Sequence, residues 1–95
     1  MRQLDLKEIR SNIDAIDAEL VVLFEKRMRL SAQVAEYKIK NNLPVLSQKR
    51  EDEIVAAVRE KTPEIADYSE ELYRTIFELS RKYQHRLMEK KDQDQ

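Results

Sequence analysis

Residues 6–40 read LKEIRSNIDAIDAELVVLFEKRMRLSAQVAEYKIK, a run with neither proline nor glycine. Taken at alternating steps of three and four, it gives Leu6, Ile9, Ile13, Ile16, Leu20, Leu23, Arg27, Leu30, Val34 and Tyr37. That spacing places all ten on one face of a helix. Nine are apolar or aromatic and the seventh is an arginine. A guanidinium inside an apolar seam is unfavourable unless something anionic meets it. Lys38 follows eleven residues later, close to three helical turns, and returns to nearly the same face. Two cations on one apolar face are the first sign of an anion site.

Outward from this run, the punctuation is helical. Glycine is absent, and the two prolines, Pro44 and Pro63, stand where the periodic patterns stop. A chain without glycine has few routes to tight hairpins. Three helices are therefore expected. The first starts near Asp5 as N-cap, with Glu8 three residues on, and runs to about Lys40. The second follows Ser47 and carries Ile54, Val55 and Val58. The third opens near Asp67, with Glu70 three residues later, and shows Leu72, Ile76, Leu79, Tyr83 and Leu87. The polar tail from Glu89 to Gln95 is expected to fray. Residues 1–95 thus read as one all-α domain.

Composition narrows the function. Charged residues make up 39% of the 95, yet 18 basic and 19 acidic side chains leave a net charge of −1. A general nucleic-acid or anionic-membrane surface needs a basic excess that is missing here. There is no cysteine, so disulfide and thiolate chemistry are excluded. One histidine, His85, leaves no His/Cys metal site, and it reads as a solvated neighbour of Gln84. No metal or other cofactor is expected. No apolar run approaches a membrane span or the core of a secretion signal, which makes a cytoplasmic protein the expectation.

The first helix is too long for its own domain. About 35 residues at 1.5 Å each form a rod of roughly 50 Å. A compact domain of this size has a radius of gyration of about 13 Å. The two shorter helices can fold back along part of the apolar seam, and a second chain is the simplest cover for the remainder. An intertwined helical homodimer is the expected assembly.

Polar residues interrupt the apolar faces at a few points. Arg27 reads either as a register-setting seam residue or as a ligand cation. Lys38 reads either as a solvated cation at a helix C-terminus or as its companion. In the third helix, the stripe Tyr73, Phe77, Ser80, Gln84, Leu87 carries two polar groups one turn apart. Arg50 and Glu51 open the second helix close to its apolar set. Arg27, Lys38, Arg50, Ser80 and Gln84, read as facing inward, are mostly donors, and Glu51 is the one carboxylate among them. No Ser-His-Asp or Cys-His arrangement accompanies them. Fixed cations and amide donors without a nucleophile suit positioning and electrostatic catalysis on an anionic substrate.

With these residues in order, the chain resembles the all-helical AroQ class of chorismate mutases over nearly all of residues 5–88. The resemblance is carried by Ile9-Arg10-Ser11-Asn12-Ile13-Asp14-Ala15-Ile16-Asp17, Leu23-Phe24-Glu25-Lys26-Arg27-Met28 and Val34-Ala35-Glu36-Tyr37-Lys38. It continues through Pro44-Val45, Lys49-Arg50-Glu51 and Phe77-Glu78-Leu79-Ser80 to Gln84. It implies a dimer that rearranges chorismate to prephenate, each site borrowing Arg10 from the other subunit. Arg10 and Arg27 are seventeen residues apart, about 25 Å along one helix, too far for one small ligand to meet both from a single chain. By this resemblance Arg10 and Arg27 clamp the two carboxylates, and Lys38 and Gln84 meet the ether oxygen. Arg50 and Glu51 address the ring, and Ser80 assists at a carboxylate. Many members of the class carry an acid where Ser47 stands, so Ser47 either bonds the substrate or caps the second helix. Two other readings stay open: an isochorismate-pyruvate lyase on the same scaffold, and a non-catalytic helical dimerisation module.

Overall fold

In the computed structural model, which describes residues 5–93, the chain is all-helical. It runs as α1 (Leu6–Lys40), α2 (Gln48–Lys61), a short 3-10 helix (Pro63–Ile65) and α3 (Ala66–Gln93). Of the polar tail, helix continues to Gln93, and the last two positions lie outside the described residues. No described helix is long and apolar enough to cross a membrane. The chain divides into two compact units between Leu30 and Ser31, a boundary inside α1.

In the first unit, α1 begins where its cap dictates. Asp5 Oδ1 accepts the Lys7 N–H at 3.1 Å, and the Asp5 carbonyl accepts the Ile9 N–H at 3.0 Å. An N-cap carboxylate satisfies an otherwise orphaned donor and complements the helix dipole. The apolar seam is open in the single chain: Leu6, Ile9, Ile13, Ile16, Leu20, Leu23 and Leu30 are all exposed, from 37% at Ile9 to 62% at Ile16. Arg27 is half-buried.

The second unit takes the last ten residues of α1 together with α2, the 3-10 turn and α3. Its α1 segment ends in a six-residue cap. Leu43 N–H donates to Lys38 O at 2.9 Å and Asn42 N–H to Ile39 O at 3.4 Å, with Asn42 at φ 54°. This is the Schellman arrangement, with asparagine in the left-handed position that glycine usually takes. Asparagine tolerates that region better than other non-glycine residues. Pro44 follows and prevents the helix from resuming.

Helices α2 and α3 form an antiparallel pair whose ion pairs record the register. Arg59 Nη1 contacts Asp67 and Glu70, each at 2.9 Å, and Arg74 reaches Asp52 at 3.1 Å. Near the start of α2, Glu51 pairs with Arg81 of α3. Pairs as exposed as Arg59–Asp67 fix register more than they stabilise. At the connection, Thr62 Oγ1 donates to Val58 O at 2.8 Å and is hydrogen-bonded to the buried Ser69 Oγ, also at 2.8 Å.

The third helix starts within one residue of the expected Asp67, but Asp67 is not its cap. Pro63, with its φ preset for a helix, opens the 3-10 turn, and α3 runs on from it at Ala66. Asp67 therefore lies inside the first turn, and its carboxylate binds Arg59 rather than capping. Ser47 does occupy the N-cap position of α2, but its side chain makes no capping bond. The inward face of α3 also differs from the leucine stripe. Phe77, Ser80 and Gln84 are buried, and Tyr73 meets Phe77 edge-on at 6.0 Å, whereas Leu72 and Leu79 are exposed. Val55 of α2 and Ala35 of α1 are the other buried apolar residues among those described.

The left-handed residue is a direct test of the cap. Asn42→Val puts a β-branched side chain at positive φ and is expected to lower unfolding free energy by about 1–2 kcal/mol. Asn42→Gly is expected to lower it not at all, both read from urea midpoints.

Candidate functional site

The cap that ends α1 also places Lys38. Its carbonyl accepts from Leu43, and its ammonium reaches forward to donate to Val45 O at 2.6 Å. The cation stands in the last turn of α1, where the carbonyl end of the helix favours positive charge. Lys38 is half-buried. Loss of water lowers its pKa from the ordinary lysine value, and the nearby negative charge of Glu51 opposes that shift. The ammonium is thus held in surroundings where its pull on an anion is stronger than in bulk water.

Glu51 lies in the first turn of α2, with its side chain 14% exposed. It accepts a hydrogen bond from Arg81 Nη1 of α3. A carboxylate this far withdrawn from water needs such a partner. On α3, Ser80 and Gln84 are 5% and 6% exposed, one turn apart on the inward face. Gln84 Oε1 is buried without a hydrogen-bond partner. A side-chain amide carries two donors and two acceptor positions, so this is hydrogen-bonding capacity held inside the fold and unspent.

The second unit therefore brings together Lys38, Glu51 and Arg81, and buries Ser80 and Gln84. Arg50, expected to face inward, is exposed. Adjacent residues of a helix point about 100° apart, and turning Glu51 toward α3 leaves its neighbour on the outer side. Ser47 is exposed as well. Arg10, exposed, and Arg27, half-buried, belong to the first unit. Two groups at Lys38 and Glu51 escaped the sequence reading, Arg81 and the Val45 carbonyl. Arg81 had a signal: it stands four residues after Phe77 and three before Gln84, on the same stripe. A backbone acceptor leaves none.

Chemically, the arrangement offers a cation of reduced hydration, a buried amide and a carboxylate held by a guanidinium. Among the described residues, no three of His, Cys, Asp and Glu are grouped to hold a metal ion. Such a site can bind and polarise an anion by electrostatics.

Residues 9–85 match the family described as chorismate mutase type II. The chain is similar to the T-protein of Haemophilus influenzae, with 40% identity over 78 residues, covering 79% of this chain and 21% of that protein. It is also similar to two proteins named bifunctional chorismate mutase/prephenate dehydratase. For that of Aquifex aeolicus the identity is 38% over 61 residues, covering 64% of this chain and 17% of the relative. For that of Buchnera aphidicola it is 36% over 89 residues, covering 90% and 23%. The chain spans about a fifth of the length of these relatives. No solved structure gives a significant match.

The electrostatics of Lys38 are measurable without a ligand. In a titration followed by NMR at the side-chain nitrogen, Lys38 is expected to lose its proton below the ordinary lysine value of 10.5, and Glu51→Gln to lower it further by removing the opposing charge. Between the lowered folded value and 10.5, the unfolded chain holds more protons. The contribution of this group to stability therefore rises with pH across that window.

Proposed function

We propose, from the premise that the chain belongs to the chorismate mutase type II family, that it converts chorismate to prephenate in aromatic amino-acid biosynthesis. The features of the site that best support this lie in one compact unit: a partly desolvated Lys38 ammonium, and a buried Gln84 whose Oε1 has no hydrogen-bond partner. The reaction is a unimolecular pericyclic rearrangement. It needs no covalent intermediate, no proton relay and no cofactor, only alignment and charge stabilisation.

The roles follow from what each group can do. The enolpyruvyl arm has to be held over the ring in a compact chair-like geometry. Arg27, together with Arg10 of a second subunit, fixes the two carboxylates, since guanidinium forks match carboxylates in plane and spacing. As the C–O bond breaks, negative charge grows on the ether oxygen. Lys38 and a Gln84 N–H stabilise that charge more in the transition state than in the ground state. The amide reaches this role with its NH2 group turned inward, a rotation about the terminal bond that exchanges donor for acceptor. Glu51 accepts from the ring hydroxyl, Arg50 and Ser47 lie on the ring side, and Ser80 assists at a carboxylate. An acid at Glu51 favours the mutase over an isochorismate-pyruvate lyase.

The functional unit of this reading is a cytoplasmic homodimer, built from residues 1–95 as a single domain. The exposed seam from Leu6 to Tyr37 supports it, because an exposed apolar face of this length, broken only at Arg27, is unfavourable in water. The distance from Arg10 to Arg27 supports the exchange of Arg10 between subunits, since an antiparallel partner helix can bring the arginine back across.

Loss of chorismate absorbance, with the product identified as prephenate, is the expected activity. Lys38→Ala is expected to lower kcat by about 10²–10³-fold, as removal of an oxyanion donor does. Pyruvate release from isochorismate, with no turnover of chorismate, would move the assignment to the lyase. For the dimer, mixing inactive Arg10→Ala and Arg27→Ala subunits is expected to restore part of the activity, because one of the two sites in each heterodimer is intact. No recovery on mixing would remove the exchange of Arg10.

A further inference from the structure

Glu51 has two cations within its influence and is bonded to only one of them. Its carboxylate, 14% exposed, accepts from Arg81 Nη1, while Lys38 feels its charge without a bond and donates instead to the neutral Val45 carbonyl. Formally, Lys38 and Arg81 at +1 each and Glu51 at −1 leave one net positive charge. The pairing decides where that charge resides. With Glu51 on Arg81, it resides on Lys38. With Glu51 on Lys38, the ammonium would be neutralised by a carboxylate that an incoming anion must first displace.

We propose that Arg81 is a positioning residue: by holding Glu51 against α3 it keeps the carboxylate off Lys38, leaving the Lys38 ammonium on a neutral, displaceable acceptor and open to an anion. As it bears on catalysis, this rests on the mutase reading above. Arginine suits the task better than lysine would. Its planar fork fixes a carboxylate in one orientation, it stays charged throughout the working pH range, and it loses little freedom per bond formed. Its place on α3 adds to this. Arg81 follows the buried Ser80 directly and precedes the buried Gln84 by three residues, so the rigid helix that presents the amide also sets the reach of the guanidinium. Glu51 in turn is carried on the first turn of α2, so the pair ties α2 to α3, two of the three helices that carry the site.

The test has two independent readouts. In the first, Lys38 is titrated by NMR in the free protein. Arg81→Met is expected to raise its pKa, because Glu51 is released toward it, and the Arg81→Met/Glu51→Gln double variant is expected to show no such rise. In the second, kcat and KM for chorismate are measured in the same variants. Arg81→Met is expected to lower kcat/KM by about 10–100-fold, the range for partners that orient a functional group. Adding Arg81→Met to Glu51→Gln should cost little further, and Arg81→Lys should recover part of the loss. An unchanged or lowered Lys38 pKa in Arg81→Met overturns the proposal. So does an Arg81→Met loss that is equally large in the Glu51→Gln background, since Arg81 would then act on its own. If the wild-type chain fails to convert chorismate, the mutase reading falls while the Lys38 titration still decides the role of Arg81. Should Arg81→Met fail to fold, the double variant, which removes both members of the pair, and Arg81→Lys carry the same comparison.

Discussion

A cation drawn partly out of water must be matched, and much of the second unit is arranged around that requirement at Lys38. The turn that ends α1 does two things at once. It closes the helix through the Leu43 and Asn42 amides, and it returns the Val45 carbonyl to the Lys38 ammonium. A neutral carbonyl is enough to satisfy one N–H but leaves the charge itself uncancelled. The charge that might cancel it, Glu51, is committed to Arg81. The outcome is an uncancelled positive charge at Lys38 beside a balanced Glu51–Arg81 pair. Preorganised electrostatics of this kind need no rearrangement when charge develops on a substrate.

That arrangement explains the unusual interior of the unit. Among the described residues, the buried apolar side chains are Ala35, Val55 and Phe77, while Ser31, Ser69, Ser80 and Gln84 are buried polar ones. A core this rich in hydroxyl and amide groups gains less from the hydrophobic effect than an apolar one. Ser69 recovers part of that loss through Thr62 at the α2–α3 turn. Gln84 Oε1 recovers nothing inside the fold. A buried acceptor left without a partner costs stability, so packing alone does not account for this polar interior.

The sequence disclosed local structure far better than pairing. The long periodic run set the limits of α1, Asp5 is its cap, and Pro44 marks its end, because each of these acts through the residue's own backbone or side-chain chemistry. The start of α3 was less legible. Asp67 and Glu70 look like a capping pair, but Pro63 begins the helical run earlier, and both acids are taken by Arg59 on α2. Arg27, Ser80 and Gln84 stand out because they break an apolar stripe, and Lys38 because it returns to nearly the face of Arg27. Arg81 broke the stripe of Ser80 and Gln84, yet in a helix with so many charges its partner, thirty residues away, decided its meaning. Arg50 and Glu51 looked equivalent for the same reason, until the α2–α3 register turned one inward and the other outward.

The seam of α1 binds the assembly question to the chemical one. Its nine apolar members are exposed in the single chain, whereas Arg27, the residue that interrupts them, is half-buried. Near its start the same face carries Ile9 and Ile13, which flank Arg10, so whatever covers the seam at that end also covers the root of the arginine. If the cover is a second copy, burial of the seam and delivery of Arg10 are one event. The apolar area removed from water then offsets the cost of fixing a long charged side chain over a ligand. A site completed this way is populated only as far as the dimer is, so stability, assembly and activity share a single dependence on chain concentration.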